Sequence, residues 1–195
     1  IKRALERGDD DDDEDEDESS ESAGKRNERR LKREEFKNKL EEIKDEKKQE
    51  RLDRIDQNIG RINSKAVEHF KKVVGRLSGL LDKIESKTNA VAETGKDVSS
   101  VLALISTAQT KILDTLSAIE AQSQASYIVE IESEENLGEN VSSTVHDLRA
   151  DLKGVEAKVR EAKGAVKNAF MALKAIIVDN EDSESPSPVP IATPI

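Results

Sequence analysis

The chain has no cysteine and no tryptophan, and aromatic residues make up 2% of its 195 residues. Without cysteine it forms neither disulfides nor thiolate sites, and this absence fits oxidising and reducing compartments equally. Because aromatic side chains are scarce, Leu, Ile, Val and Ala must fill any core, which suits a narrow helical bundle. No apolar run approaches the roughly 18 residues that a membrane-spanning helix needs.

Patterns that carry catalysis or ligand binding are also missing from the sequence. His69 and His146 flank apolar helix positions, belong to no His-Glu-x-x-His pattern and have no cysteine to share a zinc site with, so we expect boundary packing. No glycine-rich phosphate loop follows a strand. Gly75 and Gly79 form a Gly-x-x-x-Gly pattern that we read as a weak point, costing about 1 kcal/mol per glycine. We therefore predict no catalytic, cofactor-binding or metal-binding residues and no enzyme activity.

What the sequence does contain is an apolar repeat typical of packed helices. Over residues 141–177 the apolar residues recur at alternating steps of four and three, which describes a helix with one seam to bury. We call this predicted helix C, at about 140–178. Its seam positions are Val141, Val145, Leu148, Leu152, Val155, Val159, Ala162, Val166, Ala169, Leu173 and Ile176.

A second long apolar stripe precedes helix C, in predicted helix A. This helix begins near Asn27, and its dense part covers about 52–93. The stripe comprises Leu52, Ile55, Ile59, Ile62, Ala66, Phe70, Val73, Leu77, Leu80, Ile84 and Val91. After it, Gly95 suits a left-handed helix cap and Asp97 suits the N-cap of the next helix, so we expect a tight reversal there.

Predicted helix B, at about 98–123, is poor in charge. It contains only Lys111, Asp114 and Glu120, with an apolar stripe of Val98, Val101, Leu102, Ile105, Ala108, Ile112, Leu116 and Ile119. Either it is the central helix of a three-helix bundle, or its Ser/Thr/Ala flank is a self-association surface. Residues 124–140 break the helical pattern, and we expect a packed loop there because one short strand would have no partner.

Charge is distributed unevenly along the chain. Residues 1–24 carry a net charge of −9 and residues 25–93 a net charge of +6. An unbroken run of ten acids at 9–18 predicts a solvated arm, so we assign 1–24 to a disordered acidic arm. Residues 25–51 hold 20 charged residues and predict a helical extension stabilised by pairs such as Glu28/Lys32 and Glu35/Lys39. The Ser/Pro-rich residues 179–195 predict a disordered tail.

The acidic arm lies next to a basic stretch, and that neighbourhood suggests a function. The stretch comprises Lys25, Arg26, Arg29, Arg30, Lys32 and Arg33, with Glu28 as the one opposing acid. Beside a role as a solvated tail, the arm could gather divalent cations weakly, or fold back on the basic stretch and suppress its binding to polyanions. Specific nucleic-acid recognition is disfavoured because no aromatic residues interleave with the basic ones.

Residues 52–177 resemble a family of small, Ala- and Lys-rich, predicted-secreted helical proteins of candidate-phyla bacteria. The likeness rests on Arg76-Leu77, on 80–84 at the end of helix A, on 94–98 at the turn, and on 148–153 and 172–174 in helix C. This family is uncharacterised, so the resemblance implies a helical bundle and an export history but transfers no functional residue.

Together these patterns predict an all-α protein. It would be an antiparallel three-helix bundle or coiled coil over 52–178, with the charged helix at 25–51 and disordered acidic flanks. We expect a non-enzymatic structural or protein-interaction module with a protein partner or a second copy as ligand. The resemblance implies that this module is extracytoplasmic. The alternative is a polyanion- or cation-binding module that uses the acidic arm and the adjacent basic helix. Lipid-surface binding is a weaker option because interfacial helices favour Trp and Phe.

Overall fold

Four helices make up most of the protein. The structure, a computed structural model, describes residues 14–178, with side chains from residue 26 onward. The helices are α1 (Glu14–Glu41), α2 (Glu46–Ala92), α3 (Ser99–Gln124) and α4 (Leu137–Val178). No strand occurs within these residues, and the predicted all-α class is confirmed for them. Residues 1–13 of the predicted arm and the whole predicted tail, 179–195, lie outside the described residues.

The described chain divides into two compact units. Unit 1 comprises 14–61 and 124–148, and unit 2 comprises 62–123 and 149–178. Helices α2 and α4 each contribute residues to both units. Unit 2 therefore contains all of α3 except its last residue, whereas unit 1 contains α1 and the connection that leads to α4.

The charged N-terminal region differs from its prediction as a disordered arm followed by one continuous helix A. Residues 14–24 are helical, and the helix is interrupted between α1 and α2 at residues 42–45. Asp45 creates the break by accepting hydrogen bonds from the backbone N–H groups of Lys47 (3.0 Å) and Lys48 (3.3 Å), which caps α2. At the other end of the break, Gln49 Nε2 donates to the carbonyl of Leu40 (3.1 Å) and so satisfies the C-terminus of α1.

Unit 2 is a helical bundle with one continuous apolar core. The core draws on α2, α3 and α4, so each helix buries one stripe against the other two. Its buried apolar residues are Val67, Val74, Leu81, Ile84, Val91, Val98, Val101, Ile105, Ala108, Ile112, Ile119, Val155, Val159, Ala162, Val166, Ala169 and Leu173. Ala108 of α3 and Ala162 and Ala169 of α4 are 0% exposed.

Polar groups in the core of unit 2 are satisfied by cross-helix and local bonds. Asn63 Nδ2 donates to the carbonyl of Gln122 (3.2 Å), and Gln122 Nε2 returns a bond to Asn63 Oδ1 (2.9 Å). Thr115 Oγ1, fully buried, donates to the carbonyls of Lys111 (2.7 Å) and Lys158 (3.2 Å). These bonds join α2 to α3 and α3 to α4. Each of them also gives a buried polar group the partner without which its burial would cost free energy.

The buried stripe of α2 is shifted from the predicted one. Ile62 and Leu80, both predicted as seam residues, are 51% and 45% exposed, while Leu81 is buried. The buried positions instead include the polar Asp56, Asn63 and Thr88. A sequence prediction that considers only apolar residues misses these buried polar positions and assigns their apolar neighbours to the buried stripe.

The predicted stripe of α3 also contains two exposed members, Leu102 and Leu116, each at 42% exposure. By contrast, every predicted seam position of α4 is buried or half-buried. The prediction for α4 was correct because its apolar residues keep a single 3.5-residue repeat along the helix.

The turn between α2 and α3 has the predicted chemistry. Gly95 is in the left-handed region with φ at 85°, where a Cβ atom would be strained. Asp97 Oδ1 accepts a hydrogen bond from the backbone N–H of Ser99 (2.9 Å), which satisfies a donor at the start of α3. This bond lowers the pKa of Asp97 below its ordinary value. Both residues confirm the roles that the sequence predicted.

Unit 1 has a smaller apolar core. Its buried apolar residues are Phe36, Ile43, Leu52, Ile59, Val129, Ile131 and Leu148. Val129 and Ile131 belong to the connection 125–136, which forms neither helix nor strand. Glu134 secures this connection by accepting bonds from the backbone N–H of Lys44 (3.3 Å) and from Lys48 Nζ (3.2 Å). A packed loop, as predicted, therefore leads into α4.

Candidate functional site

Four arginines gather on one face of α1 in unit 1. Arg26, Arg29, Arg30 and Arg33 occupy positions i, i+3, i+4 and i+7, and they line a shallow depression of about 450 Å³. We call these four residues the arginine cluster. At about 1.5 Å per residue the cluster extends roughly 10 Å along the helix axis.

Two neighbouring side chains orient the guanidinium groups of the cluster. Arg30 Nη2 donates to Asn27 Oδ1 (3.1 Å), and Arg33 Nη1 donates to Asp56 Oδ2 (3.2 Å). Between them, Arg29 is partly buried and its Nε has no hydrogen-bond partner. Arg30 and Arg33 each keep further N–H donors after making these bonds, and a guanidinium group with donors left over is suited to binding an oxyanion.

Asp56 supports the cluster from the buried face of α2. Its side chain is 1% exposed, and its Oδ1 atom accepts no hydrogen bond. Burial raises the pKa of Asp56 above its ordinary value, and the positive charge of Arg33 and the backbone N–H of Val129 act against that rise. Arg33 itself is half exposed, so in this ion pair Asp56 is buried whereas Arg33 is in contact with solvent.

Two acids of α1 pair with lysines of the same helix. Glu28 pairs with Lys32 and Glu35 with Lys39, each at 2.8 Å, which confirms both predicted pairs. Helical spacing puts these four residues on the side of α1 opposite the cluster. Lys32, which the sequence grouped with the arginines, therefore lies apart from them, and the side chain of Lys25 lies outside the described part.

Helix α1 also carries part of the acidic run, which limits how that run can reach the cluster. Residues 14–18 belong to the same continuous helix as the arginines. Glu18 precedes Arg26 by eight residues, or about 12 Å along the axis. Within an intact helix these acids cannot fold back onto the arginines of their own chain, so the predicted masking is restricted to residues further upstream.

The connection 125–136 encloses a second depression of unit 1, about 340 Å³ in volume, against α1. Phe36 and Ile131 contribute apolar surface to it, and Lys32, Lys39 and Glu130 contribute charge. The hydrogen bond from Lys32 to Glu28 raises the pKa of Lys32, and the nearby Glu130 adds to that effect. Because its charges are mixed, this depression favours no single class of charged ligand.

Unit 2 presents a different surface, a row of exposed leucines on α3. Leu102, Leu113 and Leu116 are 42%, 64% and 42% exposed. Their spacings of 11 and 14 residues correspond to about three and four helical turns, so all three lie on one face. We call them the α3 leucine row. Among residues 99–110 there is no charged side chain, which leaves the start of this face weakly solvated.

The histidines differ from their expected boundary packing, since both side chains are exposed. His69 lies beside Phe70 with ring centroids 6.0 Å apart. Among the side chains that the structure describes, from residue 26 to residue 178, no group of three or more His, Cys, Asp or Glu is arranged to hold a metal ion. In the same range, no helix combines the length and apolarity that crossing a membrane requires.

Sequence reasoning found the arginines but missed Asp56, because that residue interrupts an apolar stripe. The signal was present in the spacing Leu52, Asp56, Ile59, Asn63, which continues the four-three repeat through two polar residues. Comparison with known proteins gives no further assignment of either surface, since no protein family, curated protein or solved structure matches the chain.

Proposed function

We propose that the protein is a non-enzymatic structural or protein-interaction module that works outside the cytoplasm. The α3 leucine row carries this proposal, because aligned leucines on a charge-poor helix lose unfavourable hydration when a partner covers them. The extracytoplasmic location is supported by the resemblance to predicted-secreted helical proteins, and we propose membership of that group.

The framework of this module is an antiparallel three-helix bundle of the coiled-coil type. Support comes from the order of the side-chain pairs between α2 and α3. Residue numbers increase along α2 as those of their partners decrease along α3, in the pairs Asn63/Gln122, Lys71/Glu120 and Glu85/Gln109. Between α3 and α4, Lys111 pairs with Glu161 and Thr115 with Lys158. Such a bundle offers its outer helix faces for docking.

Sedimentation equilibrium across protein concentration, at low and physiological salt, tests the interaction role. We expect a reversible, salt-insensitive increase in mass, and its loss when Leu102, Leu113 and Leu116 are all changed to Gln. The matched control changes the exposed Phe170, Met171 and Val178 of α4 to Gln and should still associate. A wild-type protein that stays monomeric at every concentration would overturn self-association through α3.

The second candidate function is a polyanion-binding module, with weak cation binding by the acidic arm. The arginine cluster favours it, because four guanidinium groups on one helix face supply the positive charge that polyanion binding requires. Binding that falls steeply with salt and ignores the α3 leucine row would favour this candidate over the first.

A further inference from the structure

We propose that the arginine cluster is a built site for the phosphate groups of a linear polymer that lacks nucleobases. This inference rests on the polyanion-binding candidate and adds to it a site, a ligand class and a positioning residue. The site comprises Arg26, Arg29, Arg30 and Arg33, with Asp56 holding Arg33 in place.

The geometry of the cluster favours phosphate over carboxylate. A carboxylate presents two oxygens in one plane, which a single guanidinium fork satisfies. A phosphate group presents oxygens in several directions and can bond to more than one fork. Because four guanidinium groups border the same depression, a tetrahedral oxyanion uses more of the available donors.

The length of the cluster favours a polymer over a single ion. The backbone positions of Arg26 and Arg33 are separated by roughly 10 Å along the axis, the rise of seven helical residues. A chain with a phosphate at each repeat can meet several arginines along this distance.

The surroundings of the cluster favour a polymer without bases. Proteins that bind single-stranded nucleic acid combine a basic groove with aromatic side chains on which bases stack. Among the residues that the structure describes, four arginines line the cluster depression, and the phenylalanine of α1, Phe36, is 5% exposed. Phosphates can therefore be held here, whereas bases have no stacking surface.

Asp56 acts as a positioning residue for this site. It is buried on α2 and accepts a hydrogen bond from Arg33 of α1, so the guanidinium group of Arg33 is held in place before a ligand binds. Asp56 bonds Arg33 through Oδ2 and therefore restrains this one arginine of the cluster.

The test measures binding of fluorescently labelled linear polyphosphate to the full chain by anisotropy, from about 20 to 200 mM salt. Changing Arg26, Arg29 and Arg30 to Gln should weaken binding at least tenfold at low salt. The slope of log affinity against log salt should fall by about two, since each phosphate contact contributes about 0.7 for a single strand. Arg33 is left intact so that the buried Asp56 keeps its partner.

The matched control changes Lys47, Arg51 and Arg54 to Gln. These exposed residues form a row on the unit 1 part of α2 at spacings of four and three, and their removal changes the net charge equally. The control should bind within about twofold of the wild type. Equal losses in the two variants would overturn the assignment of the site to α1 while leaving a general polyanion function in place.

Two competitor polymers of matched charge test the ligand class. Polyglutamate and an oligothymidylate should each compete at least tenfold less well than unlabelled polyphosphate. Equal competition by polyglutamate would overturn the preference for phosphate, and tighter binding of the oligothymidylate would overturn the base-free polymer. If wild type binds none of the three, the polyanion-binding candidate itself fails.

Asp56→Asn tests the positioning role with a readout that structural damage would not mimic. It should weaken polyphosphate binding by a few fold while thermal unfolding stays as cooperative as in the wild type. Arg33→Lys, which keeps the charge but loses the fork, should show a similar loss. Wild-type affinity in both variants would overturn the role of the Asp56–Arg33 pair.

Discussion

The two units differ in what holds them together. Unit 2 buries seventeen apolar residues in one cluster, and its buried Asn63, Thr115 and Gln122 bond across helices. Unit 1 buries seven apolar residues, and next to them lies Asp56 with one oxygen unpartnered. Burial of apolar surface stabilises more reliably than a buried ion pair, which must first offset the desolvation of its charges. The difference suggests that unit 2 provides stability, whereas unit 1 retains polar chemistry at some cost.

Removal of a core side chain from unit 2 should have the largest effect on stability. Leu81→Ala deletes a side chain that is 2% exposed and should lower the free energy of unfolding by about 2–5 kcal/mol. The adjacent Leu80 is 45% exposed, and Leu80→Ala is the matched control, expected to cost well under half as much. Urea denaturation of both variants measures the difference, and equal costs would contradict the burial pattern of α2.

Breaking the ion pair of unit 1 should have a smaller effect that depends on pH. Arg33→Met leaves the buried Asp56 carboxylate without its partner and should cost about 1–3 kcal/mol near neutral pH. Adding Asp56→Asn should recover most of this loss, because no buried charge then remains. Arg51→Met, at an exposed position of α2 in the same unit, serves as the control.

The pH dependence of this effect follows from the raised pKa of Asp56. In the folded state this carboxyl binds its proton more tightly than in the unfolded chain, so wild-type stability should fall as pH rises from the ordinary aspartate pKa through the raised one. Arg33→Met should extend that fall to higher pH, and Asp56→Asn should abolish this contribution. Unfolding free energies measured across acidic and neutral pH would refute the assignment if Asp56→Asn left the profile unchanged.

Glycine substitutions in unit 2 should have the smallest effects, with opposite signs. A Cβ atom at Gly75 meets no atom within 4 Å, so Gly75→Ala should stabilise α2 by up to about 1 kcal/mol. Gly95 has a positive φ, so Gly95→Ala should destabilise by about 1 kcal/mol. Thermal unfolding compares the two variants. Strengthening unit 2 through Gly75→Ala should leave polyphosphate binding unchanged, which sharpens the division of roles between the units.

Much of the fold follows from the sequence alone. The seam of α4 was readable because its apolar residues keep one 3.5-residue repeat from Val141 to Ile176, and the turn was readable because Gly95 and Asp97 have strong local preferences. The Glu28/Lys32 and Glu35/Lys39 pairs also depend only on spacing within a helix. Periodicity and capping are local properties, so the sequence determines them without tertiary information.

Tertiary structure decided which apolar residues are buried and which charged residues meet. Val74 and Leu81 are buried while their neighbour Leu80 is exposed, and Asp56 is buried despite its charge. The break at Asp45 and the pairing of Asp56 with Arg33, 23 residues earlier, depend on contacts between helices. Helix spacing specifies a face to within about one residue in each turn. Packing against the other helices decides which of two adjacent residues is buried, because the cost of desolvating each side chain arises only when another helix covers it.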